Sequence, residues 1–171
     1  MSSISQGKPN PGPHSSRRAP EQGDVSELEA HLGYWLRAVS NHVSYAFKIR
    51  VEAQGVTVAE WVVLRALFDG DGVKPSELAE KIGLTRGAIS KLVDRLVAKD
   101  LVSVRSDVRD GRAQIITLRA SGRRLVPKLA ALADENDAEA FGHLDPARRA
   151  ALLATLKALV QHLGLRGTPV D

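Results

Sequence analysis

The sequence predicts a mostly α fold with one small β-hairpin. Three observations lead there. Apolar residues recur at spacings of three and four through most of the chain beyond residue 25. Between Lys74 and Leu118 a short helix, a glycine turn, a second helix and a hairpin follow one another. Aromatic residues make up only 4% of a chain that is 43% hydrophobic, so Leu, Val and Ala must form the seams between helices.

Residues 1–24 are rich in Ser, Gly, Pro and Gln, with Arg17 and Arg18 embedded. They offer too little apolar surface to offset the entropy of ordering, so a mobile arm is expected. From Ser26 to about Ala53 one helix is predicted, with Leu28, Leu32, Trp35, Leu36, Val39, Val43, Ala46, Phe47 and Val51 on its stripe. Gln54-Gly55 ends it. Thr57 and Glu60 have the spacing of a capping box and open a second helix running through Leu67. The loop Asp69-Gly70-Asp71-Gly72 stops that helix.

Pro75 and Glu77 start a third helix, although Lys74 is a poor N-cap. Gly83 ends it with left-handed backbone, and Thr85 caps a fourth helix from Arg86 to roughly Lys99. Ile89, Leu92, Val93, Leu96 and Val97 form the apolar side of that helix. Leu101 to Arg105 and Ala113 to Thr117 are β-prone, and Asp110-Gly111 between them signals a hairpin. Beyond Ser121-Gly122 the helical pattern resumes through Leu125, Leu129, Leu132 and Ala133. Pro127 falls early in this helix and implies either a start just before it or a kink. Asp145-Pro146 opens the last helix, with Leu152, Leu153, Leu156, Leu159, Val160 and Leu163 on one side. The resulting division is an arm (1–24), a helical dimerisation region (25–53 and 120–164), a winged helix-turn-helix lobe (56–119) and a tail (165–171).

Charge and motifs then point to chemistry. The formal net charge is +4, and eleven basic residues face four acidic ones between Lys81 and Arg124. The segment Asp134 to Asp145 holds five acidic residues and neither Lys nor Arg. Such segregation suits one anion-facing surface. The chain has no cysteine, which excludes disulfides and thiolate metal sites. The five histidines form no close ligand pair, and Glu27 and His31, one turn apart, are thin support for a metal. Phosphate-binding glycine loops, nucleophile motifs and a full calcium loop are absent, so neither an enzyme nor a cofactor is expected. No apolar run has membrane-spanning length and no apolar signal core begins the chain, so a cytoplasmic protein is expected.

Thr85, Arg86, Gly87, Ser90 and Lys91 fall on the polar side at the start of the fourth helix, with Arg95 further along. A helix N-terminus favours phosphate, Thr and Ser donate hydroxyls, and Arg86 is long enough to reach a guanine edge. At the hairpin tip, Arg109 and Arg112 can enter a narrow minor groove. Asp107 and Asp110 are expected to hold those arginines, or Arg95, in position. The long first helix and the last two carry more apolar surface than a small lobe can cover. The simplest cover is the same surface of a second copy about a two-fold axis, which would present two fourth helices to a palindromic site.

These residues carry a family resemblance. Asp107-Val108-Arg109-Asp110-Gly111-Arg112 resembles the wing signature of the MarR family of winged helix-turn-helix transcription regulators. The run from Leu84 to Leu96 is similar to that family's recognition helix, and the similarity extends over roughly residues 26–164. Leu118-Arg119-Ala120-Ser121-Gly122 matches the segment after the wing, with Arg119 where Thr is usual. The resemblance implies a homodimer, built by the first and last helices, on a palindromic double-stranded operator. It also implies repression relieved by a small, often aromatic or phenolic anion. Trp35, His42, Trp61 and Arg65 supply flat walls and cations for such an effector, although aromatic residues at helical spacing also serve as core. A winged helix that binds protein instead of DNA is the rival reading, and the basic wing and helix speak against it.

Overall fold

The computed structural model describes residues 25–106 and 114–165 of the 171. The arm, the wing tip and the last six residues lie outside them. In chain order come a 3-10 turn (Leu28–Ala30), α1 (Leu32–Glu52), α2 (Val58–Phe68), α3 (Pro75–Ile82) and α4 (Arg86–Ala98). The hairpin strands β1 (Val102–Ser106) and β2 (Gln114–Leu118) follow, then α5 (Ala120–Phe141) and α6 (Pro146–His162). This is the expected mostly α fold with a two-stranded antiparallel wing.

Local chemistry sets most boundaries. Thr57 Oγ1 accepts from Glu60 N while Glu60 Oε2 accepts from Thr57 N, completing the capping box of α2. Thr85 Oγ1 accepts from Ala88 N and starts α4. Asp145 does the same for α6 through Arg148 N. Gly83, at φ 78°, closes α3, with Gly83 N and Leu84 N both donating to Ala79 O.

Three expectations need correction. The first helix is not continuous from Ser26: His31 is extended at φ −96°, ψ 124°, and separates the 3-10 turn from α1. Leu28 to Ala30 bury nothing, so no packing holds an extra turn on the helix axis. Instead Trp35 Nε1 donates to Glu29 O at 2.9 Å and folds the turn against α1. Strand β1 begins and ends one residue later than expected, and β2 ends one residue later, at Leu118. Leu101 is taken by the end of α4, where its N–H donates to Leu96 O and Asp100 N donates to Val97 O. That is a Schellman closure, with Asp100 as its left-handed residue at φ 58°. Finally, α5 does not start just before Pro127: it begins at Ala120, and Pro127 sits exposed inside it.

The wing has an unforeseen neighbour. Val73, just ahead of α3, exchanges both backbone hydrogen bonds with Ile116 of β2. Gly72 makes this possible. A Cβ there would stand 2.5 Å from Ile115 Cγ2 and 2.9 Å from Thr117 Cγ2.

One core underlies the whole lobe. Leu64, Leu67, Leu78, Ile82, Ile89, Leu96, Val102 and Ile116 are buried together with Val51 of α1 and Val126 and Leu129 of α5. The end of α1 and the first half of α5 therefore pack as part of the lobe as well as projecting from it. Asn136 Nδ2 donates to Val43 O and Arg50 pairs with Glu139, joining α1 to α5 further out. In α6 every residue is exposed and none is buried.

Candidate nucleic-acid interface

The first turns of α4 pack on the body by one side and turn a polar side outward. Ile89, Leu92, Val93 and Leu96 bury one side of the helix, which leaves Thr85, Arg86, Gly87, Ser90 and Lys91 exposed. Ser90 lies one turn beyond Arg86, and Lys91 one turn beyond Gly87, so the four share a continuous patch. Capping uses only a lone pair of the Thr85 hydroxyl, and its O–H remains free to donate. Space over Gly87 is open: a Cβ would meet nothing within 4 Å, and its backbone is ordinary helix. The fold does not require glycine there. Arg95 is also exposed, in the last turn, on the edge of the polar side opposite Arg86. It does not join the first-turn cluster.

Beside this face a cleft of about 360 Å³ separates α4 from the wing, lined in part by Ser90, Asp94, Ser103, Gln114 and Arg119. Arg105 is exposed on β1 immediately below the wing tip, a cation that motif reading missed. Its position outside the tip signature gave no signal beyond its charge. Arg109, Arg112, Asp107 and Asp110 lie outside the described residues.

The four candidate effector residues do not meet. Trp61 and Arg65 line one cavity of about 430 Å³ between α2 and α3, together with Asp69 and Lys81. Arg65 pairs with Asp69 at 2.7 Å, and Lys81 Nζ donates to Ala66 O at 3.1 Å. His42 lines a different hollow, made by Asn41, Ser44, Tyr45 and Lys48 of α1 alone. Trp35 lines neither; its ring meets Tyr34 edge to face at 5.1 Å. Lys81 was missed because its neighbours come from another helix.

The model of the MarR family matches residues 54–113, from the corner before α2 to the residue before β2. Over this segment the chain belongs to the MarR family. This MarR-family chain is 28% identical over 137 residues to the HTH-type transcriptional repressor NicR of Pseudomonas putida, covering 80% of this chain and 85% of that one. Among solved structures it is similar to BpsR of Bordetella bronchiseptica, whose DNA binding is regulated by 6-hydroxynicotinic acid. The TM-score is 0.69 at 26% identity, over 80% of this chain and 97% of the other. It also shares its fold with Staphylococcus aureus MepR solved on DNA, with a TM-score of 0.70 at 22% identity, over 77% and 98% of the two chains.

Proposed function

We propose that this chain is a non-catalytic, sequence-specific DNA-binding regulator that represses transcription as a homodimer on a palindromic operator. The observation that carries this reading is the basic, exposed first half of α4. It ends in an N-terminus, with open space over Gly87, beside a wing whose tip sequence holds two arginines. Arg86 is assigned to a base edge, Thr85, Ser90 and Lys91 to phosphates, and Arg109 and Arg112 to the minor groove, with Asp107 and Asp110 orienting them. Arg95 and Arg105 are placed at the margins, where each can add a phosphate contact. Repression fits the kinship with NicR.

The test is fluorescence anisotropy on duplexes from the chain's own promoter region, titrated with salt and with competitor DNA. A specific duplex should outlast competitor, and log K should fall linearly with log salt. Equal affinity for every duplex, or none at low salt, would favour a protein-binding winged helix.

We further propose an aromatic carboxylate as effector, held against Trp61 by Arg65 and Lys81. This fits the pairing of a flat apolar wall with two cations, and the pyridine acid that regulates BpsR. Trp35 and His42 have no part in that cavity as it stands. Titration with 6-hydroxynicotinate and benzoate, against benzamide as the uncharged control, should quench tryptophan emission and release DNA with the acids only.

A further inference from the structure

Helix α4 is fastened at its far end. Lys99, its C-cap residue, reaches back across the lobe, and its Nζ donates to Gly55 O at 2.9 Å and to Glu60 Oε2 at 2.7 Å. Gly55 is the left-handed corner between α1 and α2, and Glu60 is the capping-box acid of α2. The Glu60 carboxylate is 1% exposed, and its Oε1 has no hydrogen-bond partner among the described residues. Lys99 is the only cation among them paired with it, from a side chain 36% exposed. On the other side of the same helix end, Arg119 N donates to Leu101 O and Ser121 Oγ to Asp100 O, tying it to the start of α5. Among the described residues the first turn of α4 makes no hydrogen bond or ion pair beyond its own cap, and it rests on the core through Ile89.

The helix is thus a lever. Its 13 residues span about 20 Å. A tilt of about 10° at Lys99 would carry the first turn about 3 Å, the length of a hydrogen bond, and enough to lose a base contact. The corner that Lys99 grips is the end of α1, the helix that projects from the lobe. We propose that Lys99 is a positioning residue. By tying the end of α4 to the α1–α2 corner, it sets the angle at which the first turn is presented to DNA. The proposal rests on the DNA-reading role of α4. It does not require Lys99 to touch DNA.

The test uses Lys99→Met, Lys99→Arg and the double variant Lys99→Met with Glu60→Gln. Lys99→Met alone strands a buried carboxylate and should lower the melting temperature. The double variant keeps a capping box, since Gln serves at that position, and removes the charge, so its melting temperature should recover. If Lys99 positions α4, the double variant still binds its operator roughly tenfold more weakly. Its slope of log K against log salt stays that of the wild type, and Lys99→Arg restores affinity. A second arm needs no DNA. The chain has no cysteine, so spin labels at Lys48→Cys on α1 and Arg86→Cys at the tip of α4 are unique. With labelled chains diluted in unlabelled ones, the double variant should broaden or shift the distance distribution by about 3 Å.

An unchanged distance distribution in a double variant that melts like the wild type would overturn the proposal. So would a salt slope reduced by about one, which would make Lys99 a phosphate contact instead. A wild-type protein that binds no duplex would refute the DNA-binding reading, while the distance arm would still decide whether Lys99 holds the helix.

Discussion

Arg119 and Asp100 form an ion pair, Nη1 to Oδ1 at 2.5 Å, across the junction of α4, the wing and α5. Asp100 is the non-glycine residue with left-handed backbone among the described residues, and Arg119 stands where a side-chain cap of α5 would be. Arg119 makes no cap bond. Its guanidinium holds the strained turn while Ser121 bonds the Asp100 carbonyl. Both partners are half exposed or more, so the pair contributes under about 1 kcal/mol. Arg119→Ala should lower the melting temperature by no more than about 4 °C. Asp100→Gly removes the left-handed strain and the partner together, so it should be close to neutral. In that background Arg119→Ala should cost nothing further. Thermal melts of the four proteins at equal concentration complete the cycle. Equal losses in both backgrounds would mean that Arg119 acts elsewhere.

Gly72→Ala should be among the costliest small substitutions in the lobe. The new methyl would sit within 3 Å of two β2 side chains, at φ 148°. Overpacking together with backbone strain costs about 2–3 kcal/mol. Gly55→Ala shares a positive φ but meets open space, so only the left-handed penalty of about 1 kcal/mol applies. Urea denaturation of the two variants should separate them by more than 1 kcal/mol, roughly. Gly72→Ala should also weaken operator binding, because Val73 and β2 carry the base of the wing.

Much of this was legible in the sequence because it is local. Thr57 with Glu60, Thr85, Gly83 and Asp145 declare helix ends within four residues of themselves, and each forms the bond its spacing implies. The exposed face of α4 was legible for the same reason, since Ile89, Leu92, Val93 and Leu96 fix which side turns outward. The break at His31 was not, because the stripe through Leu28 continues in register although no residue of that turn is buried. The shift of β1 depends on Leu101 closing α4, a competition between two elements for one residue. Lys99 with Glu60, 39 residues apart, and Lys81 beside Trp61 were invisible because only the folded chain brings them together.

Helix α6 carries apolar residues with no cover. Leu153 is 52% and Leu156 37% exposed, and no residue of the helix is buried. In the proposed homodimer these side chains meet the second copy. Leu156→Asp would place a carboxylate in that interface at a cost of several kcal/mol. The protein should then run at half its mass in light scattering at micromolar concentration. Operator affinity should fall because the two half-sites no longer bind as a linked pair. An unaltered mass would place the interface elsewhere.

Gly87→Ala separates stability from recognition more sharply than any charge removal. The position is helical, exposed and surrounded by empty space. Alanine there reduces the freedom of the unfolded chain and should stabilise by about 0.5–1 kcal/mol. The melting temperature should rise by about 2–3 °C. A face built to admit a phosphate or base edge beside the backbone loses that approach when a methyl is added. Operator affinity should fall roughly tenfold, a loss of about 1.4 kcal/mol, with the salt slope unchanged because no charge is lost. A variant that is more stable and binds worse can only have lost contact surface. One that is more stable and binds equally well would show that the duplex does not approach α4 at Gly87.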